Sequence, residues 1–257
     1  MRRAALSIAG SDPSGGAGIQ ADLKVFALLG VYGMAVPAAF TAQNTIKVFS
    51  VKSRPAASVR GELDALTSDI RPDALKTGML YSAGVILAVA EAVRRHRLSN
   101  LVVDPVMISS SGKRLLKKDA EDALIGELFP LALIVMPNGA EASKLAGMEI
   151  KSLKDAEEAA ARIRKLGPKN VLIKGGHLPG GAGEAVDVLF DGKNFIHFMG
   201  RRVAKEIHGA GCVYSAAVTA GLARGLTVQE AVAAAKKFIS KAIQIAEPVG
   251  HGRVPLV

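Results

Sequence analysis

The stretch LSIAGSDPSGGAGIQADLKVFA, residues 6–27, has the pattern of a strand, a glycine-rich loop and a helix. Leu6–Ala9 is short and apolar, as expected of a buried strand. The loop Gly10–Gly18 follows, and apolar residues then recur at helical spacing at Ile19, Leu23, Phe26 and Ala27, before a stop at Gly30. Such a unit is typical of α/β proteins with a parallel sheet.

The same alternation of short apolar strands and amphipathic helices continues along the chain. It predicts a mostly parallel sheet with helices on both faces. Asp191-Gly192 separates the segments Ala185–Phe190 and Lys193–Phe198, which predicts a late hairpin at an antiparallel edge. We expect one α/β domain over residues 1–257, with ligands bound beyond the carboxyl ends of the strands.

Composition favours small anionic ligands. The net charge is +10, which attracts anions. The basic residues are scattered, and aromatic residues make up only 4% of the chain with no Trp, so bases would find few stacking surfaces. We therefore expect phosphorylated small molecules, and no nucleic acid, as partners.

Two features bear on the compartment. A single cysteine, Cys212, cannot form an internal disulfide, so nothing indicates an oxidising environment. The 22 uncharged residues between Lys24 and Lys47 are long enough to span a bilayer, but glycine, proline and amide residues interrupt them. We interpret the run as a helix end, a turn and a strand, and predict a cytoplasmic protein without a membrane segment.

The run His208-Gly209-Ala210-Gly211-Cys212 precedes an apolar helical pattern. Glycines let backbone N–H groups approach an anion, and a helix N-terminus carries partial positive charge. These properties favour an anion site, in which Cys212 is expected to have a lowered pKa. A tight loop with a buried, inert cysteine explains the same residues, and the pattern leaves both interpretations open.

Carboxylates and a lysine follow several predicted strands. Asp104 and Glu141 offer the hard oxygen ligands that Mg²⁺ prefers, and Lys174 offers a cation for phosphate. The alternatives are an Asp-Pro turn at Asp104, a helix cap formed by Asn138 with Glu141, and a plain strand exit at Lys174.

Other polar residues suit a heterocyclic ligand. The amide of Gln43 can donate and accept hydrogen bonds, and Asp12 and Asp22 can contact a polar ligand. Asp12 is equally explained as a turn residue and Asp22 as an exposed helix carboxylate. Gly16-x-Gly18-x-x-Ala21 matches the dinucleotide fingerprint only weakly, because its acidic partner is missing, and no P-loop sequence occurs.

Seven stretches, which cover most of the chain in order, together resemble one family. They are residues 9–24 (AGSDPSGGAGIQADLK), 42–45 (AQNT), 76–80 (KTGML), 104–107 (DPVM), 138–142 (NGAEA), 174–177 (KGGH) and 208–212 (HGAGC). The set resembles the hydroxymethylpyrimidine/phosphomethylpyrimidine kinases of thiamine synthesis, in the ribokinase-like superfamily.

The resemblance implies a three-layer α/β/α fold with a mostly parallel central sheet and a late antiparallel edge. It implies an ATP- and Mg²⁺-dependent kinase that phosphorylates 4-amino-5-hydroxymethyl-2-methylpyrimidine and then its monophosphate. Dimers are common in the family, so a homodimer is expected by analogy. We expect no fused thiamine-linked domain.

The resemblance also implies roles for individual residues. Asp22, Gln43, Met79 and Val106 would contact the pyrimidine. Asp104 and Glu141 would organise Mg²⁺, and Lys174 and Lys236 would lie near the phosphates of ATP. Gly209, Ala210, Gly211 and Cys212 would form the anion hole, with Cys212 accepting the proton of the alcohol.

Three residues depart from the pattern of the family. Ile207, Ala210 and Val213 stand where threonine is usual, so three hydroxyl groups that could contact phosphate are missing. The missing hydroxyl groups leave open a pyrimidine-binding sensor without catalysis. A pyridoxal kinase of the same fold is also open, since relatives with the same cysteine act in that role.

Overall fold

The structure, a computed structural model, describes residues 2–108, 115–116, 118–177, 183–203 and 205–257. The strands are β1 (Ala4–Ser11), β2 (Tyr32–Gln43), β3 (Val48–Ser53), β4 (Ala74–Thr77), β5 (Leu101–Val103), β6 (Ile134–Val135), β7 (Asn170–Ile173), β8 (Glu184–Phe190), β9 (Phe195–Arg201), β10 (Ile207–His208) and β11 (Val254–Pro255).

The α-helices are α1 (Gly18–Leu28), α2 (Ala56–Thr67), α3 (Ala83–Arg95), α4 (Lys118–Ala123), α5 (Gly139–Ala146), α6 (Leu153–Arg164), α7 (Ala210–Ala223) and α8 (Val228–Ile245). A π-helical turn, Leu124–Leu128, and a 3₁₀ turn, Phe129–Leu131, continue α4. A second 3₁₀ turn, Gly175–His177, follows β7. No helix in these described ranges is both long and apolar enough to cross a membrane.

A nine-stranded sheet in the order β3-β2-β1-β4-β5-β6-β7-β8-β9 forms the middle layer. The pairs from β2 to β7 are parallel, and β8 and β9 form the antiparallel edge that the Asp191-Gly192 hairpin predicted. The opposite edge is also antiparallel, since β3 pairs with β2, and this strand was not predicted.

Helices cover both faces of the sheet. One apolar core contains side chains from α2 to α6, and a second contains side chains from α1, α7 and α8. The expected α/β/α layering is confirmed. Helix α7 is the most enclosed, because every residue from Val213 to Ala223 is buried, and this fixes the position of the turn before it.

The buried face of α1 differs from the predicted one. Its buried residues are Ala21, Asp22, Val25 and Phe26, whereas Ile19, Leu23 and Ala27 of the predicted face are more exposed. The prediction placed apolar residues inside and missed that a carboxylate, Asp22, lies among them with a lysine partner.

Candidate active site

One cavity of about 570 Å³ lies beyond the carboxyl ends of the parallel strands. Eleven of the twelve predicted site residues line it: Gln43, Met79, Asp104, Val106, Glu141, Lys174, Gly209, Ala210, Gly211, Cys212 and Lys236. The structure therefore brings together residues from distant parts of the chain, because each follows a strand or begins a helix at the same edge of the sheet.

The turn before α7 is held tightly against the first loop. Gly209 is left-handed, with φ 74°, and a Cβ atom there would overlap the carbonyl oxygen of Gly16. Val213 N donates to Gly209 O at 2.9 Å, so the N–H groups of residues 210–212 precede the helical hydrogen bonds. Gly209, Ala210, Gly211 and Cys212 thus form a helix start suited to an anion.

Cys212 does not have the lowered pKa expected of it. Burial raises the pKa of the thiol to about 11; Lys76 acts against this rise, and the carboxylates of Asp22 and Asp104 add to it. The prediction of a lowered pKa was wrong, because burial of the thiol, which is the largest effect, and the two carboxylates outweigh Lys76 and the backbone N–H groups. The free protein therefore holds a thiol at neutral pH.

Asp104 and Lys174 form an ion pair inside the cavity. Lys174 Nζ donates to Asp104 Oδ1 at 2.7 Å, and Ser215 Oγ of α7 donates to Asp104 Oδ2 at 2.9 Å. A Cβ atom at Gly211 would lie 3.2 Å from Lys174 Nζ, so this glycine leaves room for the ammonium group beside the helix N-terminus. Burial acts against the charge, but Asp104 and Glu141 outweigh it and raise the pKa of Lys174.

Glu141 combines a structural contact with a raised pKa. Asn138 and Glu141 form a capping box that starts α5, as the alternative interpretation expected, and Glu141 Oε1 also accepts from Met107 N at 3.3 Å. Burial raises the pKa of Glu141 to about 7; Lys174 partly counteracts this, and Asp104 reinforces it. Glu141 therefore serves as a cap and also lines the cavity.

Apolar and amide groups form another part of the wall. Met79 packs on Gly10, where a Cβ atom would overlap its terminal methyl group. Val106 packs with Met79, Ala39 and Leu115 in a small apolar cluster. Gln43, the last residue of β2, contacts His208 across this region. This part suits a flat heterocycle bearing polar groups.

The phosphomethylpyrimidine kinase family matches residues 12–257. The chain belongs to this family. It is 48% identical over its whole length to the hydroxymethylpyrimidine/phosphomethylpyrimidine kinase of Rhizobium meliloti and covers 97% of that protein. It is 47% identical to the thiamine biosynthesis bifunctional protein ThiED of Geobacter sulfurreducens, but spans only 52% of that longer chain.

Two solved structures are similar in fold. The phosphomethylpyrimidine kinase of Clostridium difficile has a TM-score of 0.84 and 44% identity, with 94% of this chain and 100% of that one covered. The pyridoxal kinase of Staphylococcus aureus in complex with AMP-PCP and pyridoxal has a TM-score of 0.90 and 35% identity, with 99% and 93% covered. The fold of this phosphomethylpyrimidine kinase family member is therefore ribokinase-like, and the protein is a phosphotransferase.

In this kinase, Asp22 lies outside the cavity wall. Its side chain is fully buried; Oδ1 accepts from Lys76 Nζ at 2.7 Å and Oδ2 from Ser7 Oγ at 2.6 Å. The exposed helix carboxylate considered as an alternative is therefore wrong. Among the twelve predicted site residues, Asp22 alone does not line the cavity.

Lys236 lines the kinase cavity but already has a carboxylate partner. Its Nζ donates to Asp187 Oδ2 at 2.8 Å and to Ala185 O at 3.0 Å. Asp187 also accepts from Tyr214 Oη at 2.8 Å and from Gly175 N at 2.6 Å. Asp187 therefore ties β8, α7, α8 and the turn after β7 together.

Sequence reasoning missed several of these supporting residues. Asp187 and Tyr214 were not predicted, nor was Ser215, and Lys76 was noted only within a motif. A signal was present for two of them, since Lys76 and Asp187 are charged residues inside otherwise apolar strands. A buried charge needs a partner, so such positions predict ion pairs even when the partner cannot be named.

Proposed function

We propose that the protein transfers the terminal phosphoryl group of ATP to the 5-hydroxymethyl group of 4-amino-5-hydroxymethyl-2-methylpyrimidine. A second transfer, to the monophosphate, then gives the diphosphate used in thiamine synthesis. The observation that carries the proposal is the gathering of eleven predicted site residues in one cavity, in a chain whose family acts on phosphomethylpyrimidine by name.

The pyrimidine is proposed to lie against Met79 and Val106, with its polar edge toward Gln43. Met79 and Val106 contribute apolar surface, and the amide supplies one donor and one acceptor. This placement directs the hydroxymethyl group toward Cys212 and the start of α7, which line the same cavity. Asp22 acts through Lys76 and not by touching the ring.

The phosphates of ATP are proposed to lie between Lys174 and the N-terminus of α7. The ammonium group of Lys174 is adjacent to Gly211, so backbone N–H groups and a cation converge there. Phosphoryl transfer depends mainly on positioning and on neutralising charge, and these groups supply both. Lys236, held by Asp187, adds positive charge at the side of the cavity formed by β8 and α8.

The donor set of the cavity fits Mg²⁺. Within the described residues no group of three or more His, Cys, Asp or Glu side chains is placed to hold a metal ion. Asp104 and Glu141 nevertheless give two carboxylates, and Mg²⁺ in kinases takes one or two carboxylates with water and phosphate completing its shell. These two residues would hold Mg²⁺, which neutralises phosphate charge when bound.

Cys212 is proposed to accept the proton that leaves the substrate alcohol as the new P–O bond forms and the bond to ADP breaks. Because its pKa is raised to about 11 in the free protein, the thiolate must form within the loaded site. Lys76 and Gly18 N–H are the groups that favour the thiolate. The cytoplasmic location, the single domain and the homodimer stay predictions.

A pyridoxal kinase is the second candidate, since the structural similarity to the pyridoxal kinase of Staphylococcus aureus is as high as a TM-score of 0.90. The deciding experiment measures ADP formation with the hydroxymethylpyrimidine, its monophosphate and pyridoxal. We expect the highest kcat/KM for the pyrimidines. No turnover of either pyrimidine rejects the first proposal, and a preference for pyridoxal supports the second.

A further inference from the structure

Asp187 is a buried acceptor for donors from three different elements. Only 2% of its surface is exposed. Its Oδ1 accepts from Gly175 N at 2.6 Å, and its Oδ2 accepts from Tyr214 Oη and from Lys236 Nζ, both at 2.8 Å. Burial, with the Asp187 carboxylate adding to it, raises the pKa of Tyr214 well above its usual value, so the phenol keeps the hydrogen that it donates. The carboxylate thus joins the turn after β7, α7 and α8 at one point beside the cavity.

The side chain of Lys236 is held in one direction. A Cβ atom at Gly200 of β9 would lie 2.7 Å from Lys236 Cε, so this glycine leaves room for the lysine stem. The ammonium group carries three hydrogens, of which two are directed to Asp187 Oδ2 and to Ala185 O. The third hydrogen is left for a ligand in the cavity that Lys236 lines. A lysine held in this way acts as a directed donor, whereas a free lysine side chain is flexible.

Asp187 also holds the turn that follows Lys174. Gly175, the next residue, donates its N–H group to the carboxylate. A Cβ atom at Gly175 would overlap the carbonyl oxygen of Val186, so the turn packs directly on the backbone of β8. A change at Asp187 would therefore disturb the backbone beside Lys174 as well as the ammonium group on α8.

Consecutive residues of α7 contact the two aspartate–lysine pairs. Tyr214 donates to Asp187, and Ser215 Oγ donates to Asp104 Oδ2 at 2.9 Å. Asp104 in turn accepts from Lys174 Nζ. Because α7 begins at the anion-binding turn, these two hydroxyl groups fix both pairs relative to that turn.

We propose that Asp187 is a positioning residue for nucleotide binding, which directs the third hydrogen of Lys236 and the backbone after Lys174 toward the phosphates of ATP. This inference rests on the placement of ATP in the proposed function. The hydrogen bonds from its three donors, one of them an ammonium group, offset the negative charge of the carboxylate beside the phosphates. The pyrimidine is placed at Met79 and Val106, so its binding should not depend on Asp187.

The test measures two dissociation constants by calorimetry, one for AMP-PCP with Mg²⁺ and one for the hydroxymethylpyrimidine alone. Asp187→Asn has one acceptor oxygen and cannot accept from both Gly175 N and Lys236 Nζ, which bond to different oxygens. We expect it to weaken AMP-PCP binding by about 10- to 100-fold, the usual loss for a hydrogen bond to a charged group, and to leave pyrimidine binding unchanged. Asp191→Asn is the matched control, because Asp191 is exposed in the same hairpin and an asparagine oxygen can accept from the same backbone N–H groups.

Gly200→Ala tests the same role without removing a polar group. The added Cβ atom displaces the stem of Lys236, so AMP-PCP binding should weaken and pyrimidine binding should not. Gly61→Ala is its control, since no atom lies within 4 Å of a Cβ atom there. In the double variant of Asp187→Asn with Lys236→Met, the two losses of AMP-PCP affinity should not multiply, because both changes remove one shared interaction.

Unchanged AMP-PCP binding in Asp187→Asn overturns the inference, as does an equal weakening of AMP-PCP and pyrimidine, which a merely structural defect would produce. Fully multiplicative losses in the double variant overturn it as well. If Asp187→Asn does not fold, the same outcomes in Gly200→Ala decide. A wild type that binds AMP-PCP but transfers no phosphoryl group to either pyrimidine rejects the proposed function and leaves this inference standing.

Discussion

Lys76 Nζ lies 2.7 Å from Asp22 Oδ1, and neither side chain has any exposed surface. The pair joins β4 to α1 directly beneath the start of α7, where Lys76 Nζ is also 3.5 Å from Cys212 O. Burial disfavours the ammonium form, but the carboxylates, chiefly that of Asp22, outweigh it and raise the pKa of Lys76. The ion pair thus holds the ammonium group of Lys76 close to the backbone of the cysteine in the candidate active site.

Removing that charge should destabilise the protein strongly. Lys76→Met leaves the Asp22 carboxylate buried without its partner, so we expect the free energy of unfolding to fall by about 3–5 kcal/mol. Urea unfolding followed by circular dichroism measures the change.

A double variant shows whether the unpaired charge is the cause. Asp22→Leu combined with Lys76→Met removes both charges and should be more stable than Lys76→Met alone. The exposed pair of Glu158 and Arg162 on α6 serves as the control, since breaking it should cost only about 0.3–0.5 kcal/mol. A loss of less than about 1 kcal/mol in Lys76→Met would contradict the assignment of a buried ion pair.

The thiol of Cys212 should react slowly at neutral pH. Its pKa is raised to about 11, chiefly by burial, so the fraction of thiolate is small below that pH. Alkylation by iodoacetamide at pH 7.5 should be slower than that of an ordinary cysteine by on the order of 100-fold, and should accelerate about tenfold per pH unit up to pH ~10.

Mass spectrometry measures the alkylation without ambiguity, because Cys212 is the only cysteine of the chain. The same protein unfolded in urea is the control and should titrate as a free thiol, near pH 8.5 or so. If alkylation of the folded protein instead reaches half its maximal rate near or below pH ~8.5, the helix N-terminus outweighs burial in setting the pKa of Cys212.

Cys212→Ala should separate proton removal from binding. We expect the variant to keep its melting temperature and its affinity for the pyrimidine, because the side chain is small and Gln43, Met79 and Val106 are unchanged. Its kcat should fall by about 100- to 10,000-fold, the usual contribution of a general base. Cys212→Ser is the matched comparison, and turnover equal to wild type in either variant would remove the thiol from the mechanism.

Local patterns predicted most of the fold. Apolar strands followed by loops and helices placed β1, β5 and β7, and Asp191-Gly192 placed the β8–β9 hairpin, because these signals lie within a few neighbouring residues. Strand β3 was missed because half-exposed residues pair with the extension of β2 to Gln43. The β10–β11 pair was missed because it joins Ile207 to Val254, far along the chain.

The candidate site followed from a simple rule, that polar residues after parallel strands meet at one edge of the sheet. This rule placed Asp104, Lys174 and Gln43 in a common cavity. It could not assign partners, because these depend on tertiary packing. Asp22 forms a buried ion pair with Lys76, and Asp187 forms one with Lys236. The predicted lowering of the Cys212 pKa was wrong for the same reason, since burial of the thiol beside two carboxylates outweighs the effect of the helix N-terminus.

Gly209→Ala should lower activity more than the strain of a left-handed alanine alone explains. Gly209 has φ 74°, which costs an alanine about 1–2 kcal/mol, and the added Cβ atom would also overlap the carbonyl oxygen of Gly16. Displacing the turn should lower kcat/KM by about 100-fold.

Gly225→Ala is the control, because Gly225 has φ 89° and no atom lies within 4 Å of the added Cβ. This variant should lose about 1 kcal/mol in stability and no activity. Urea unfolding and steady-state kinetics on both variants decide the matter, and equal losses of stability and activity would show that contact with the first loop does not hold the turn in place.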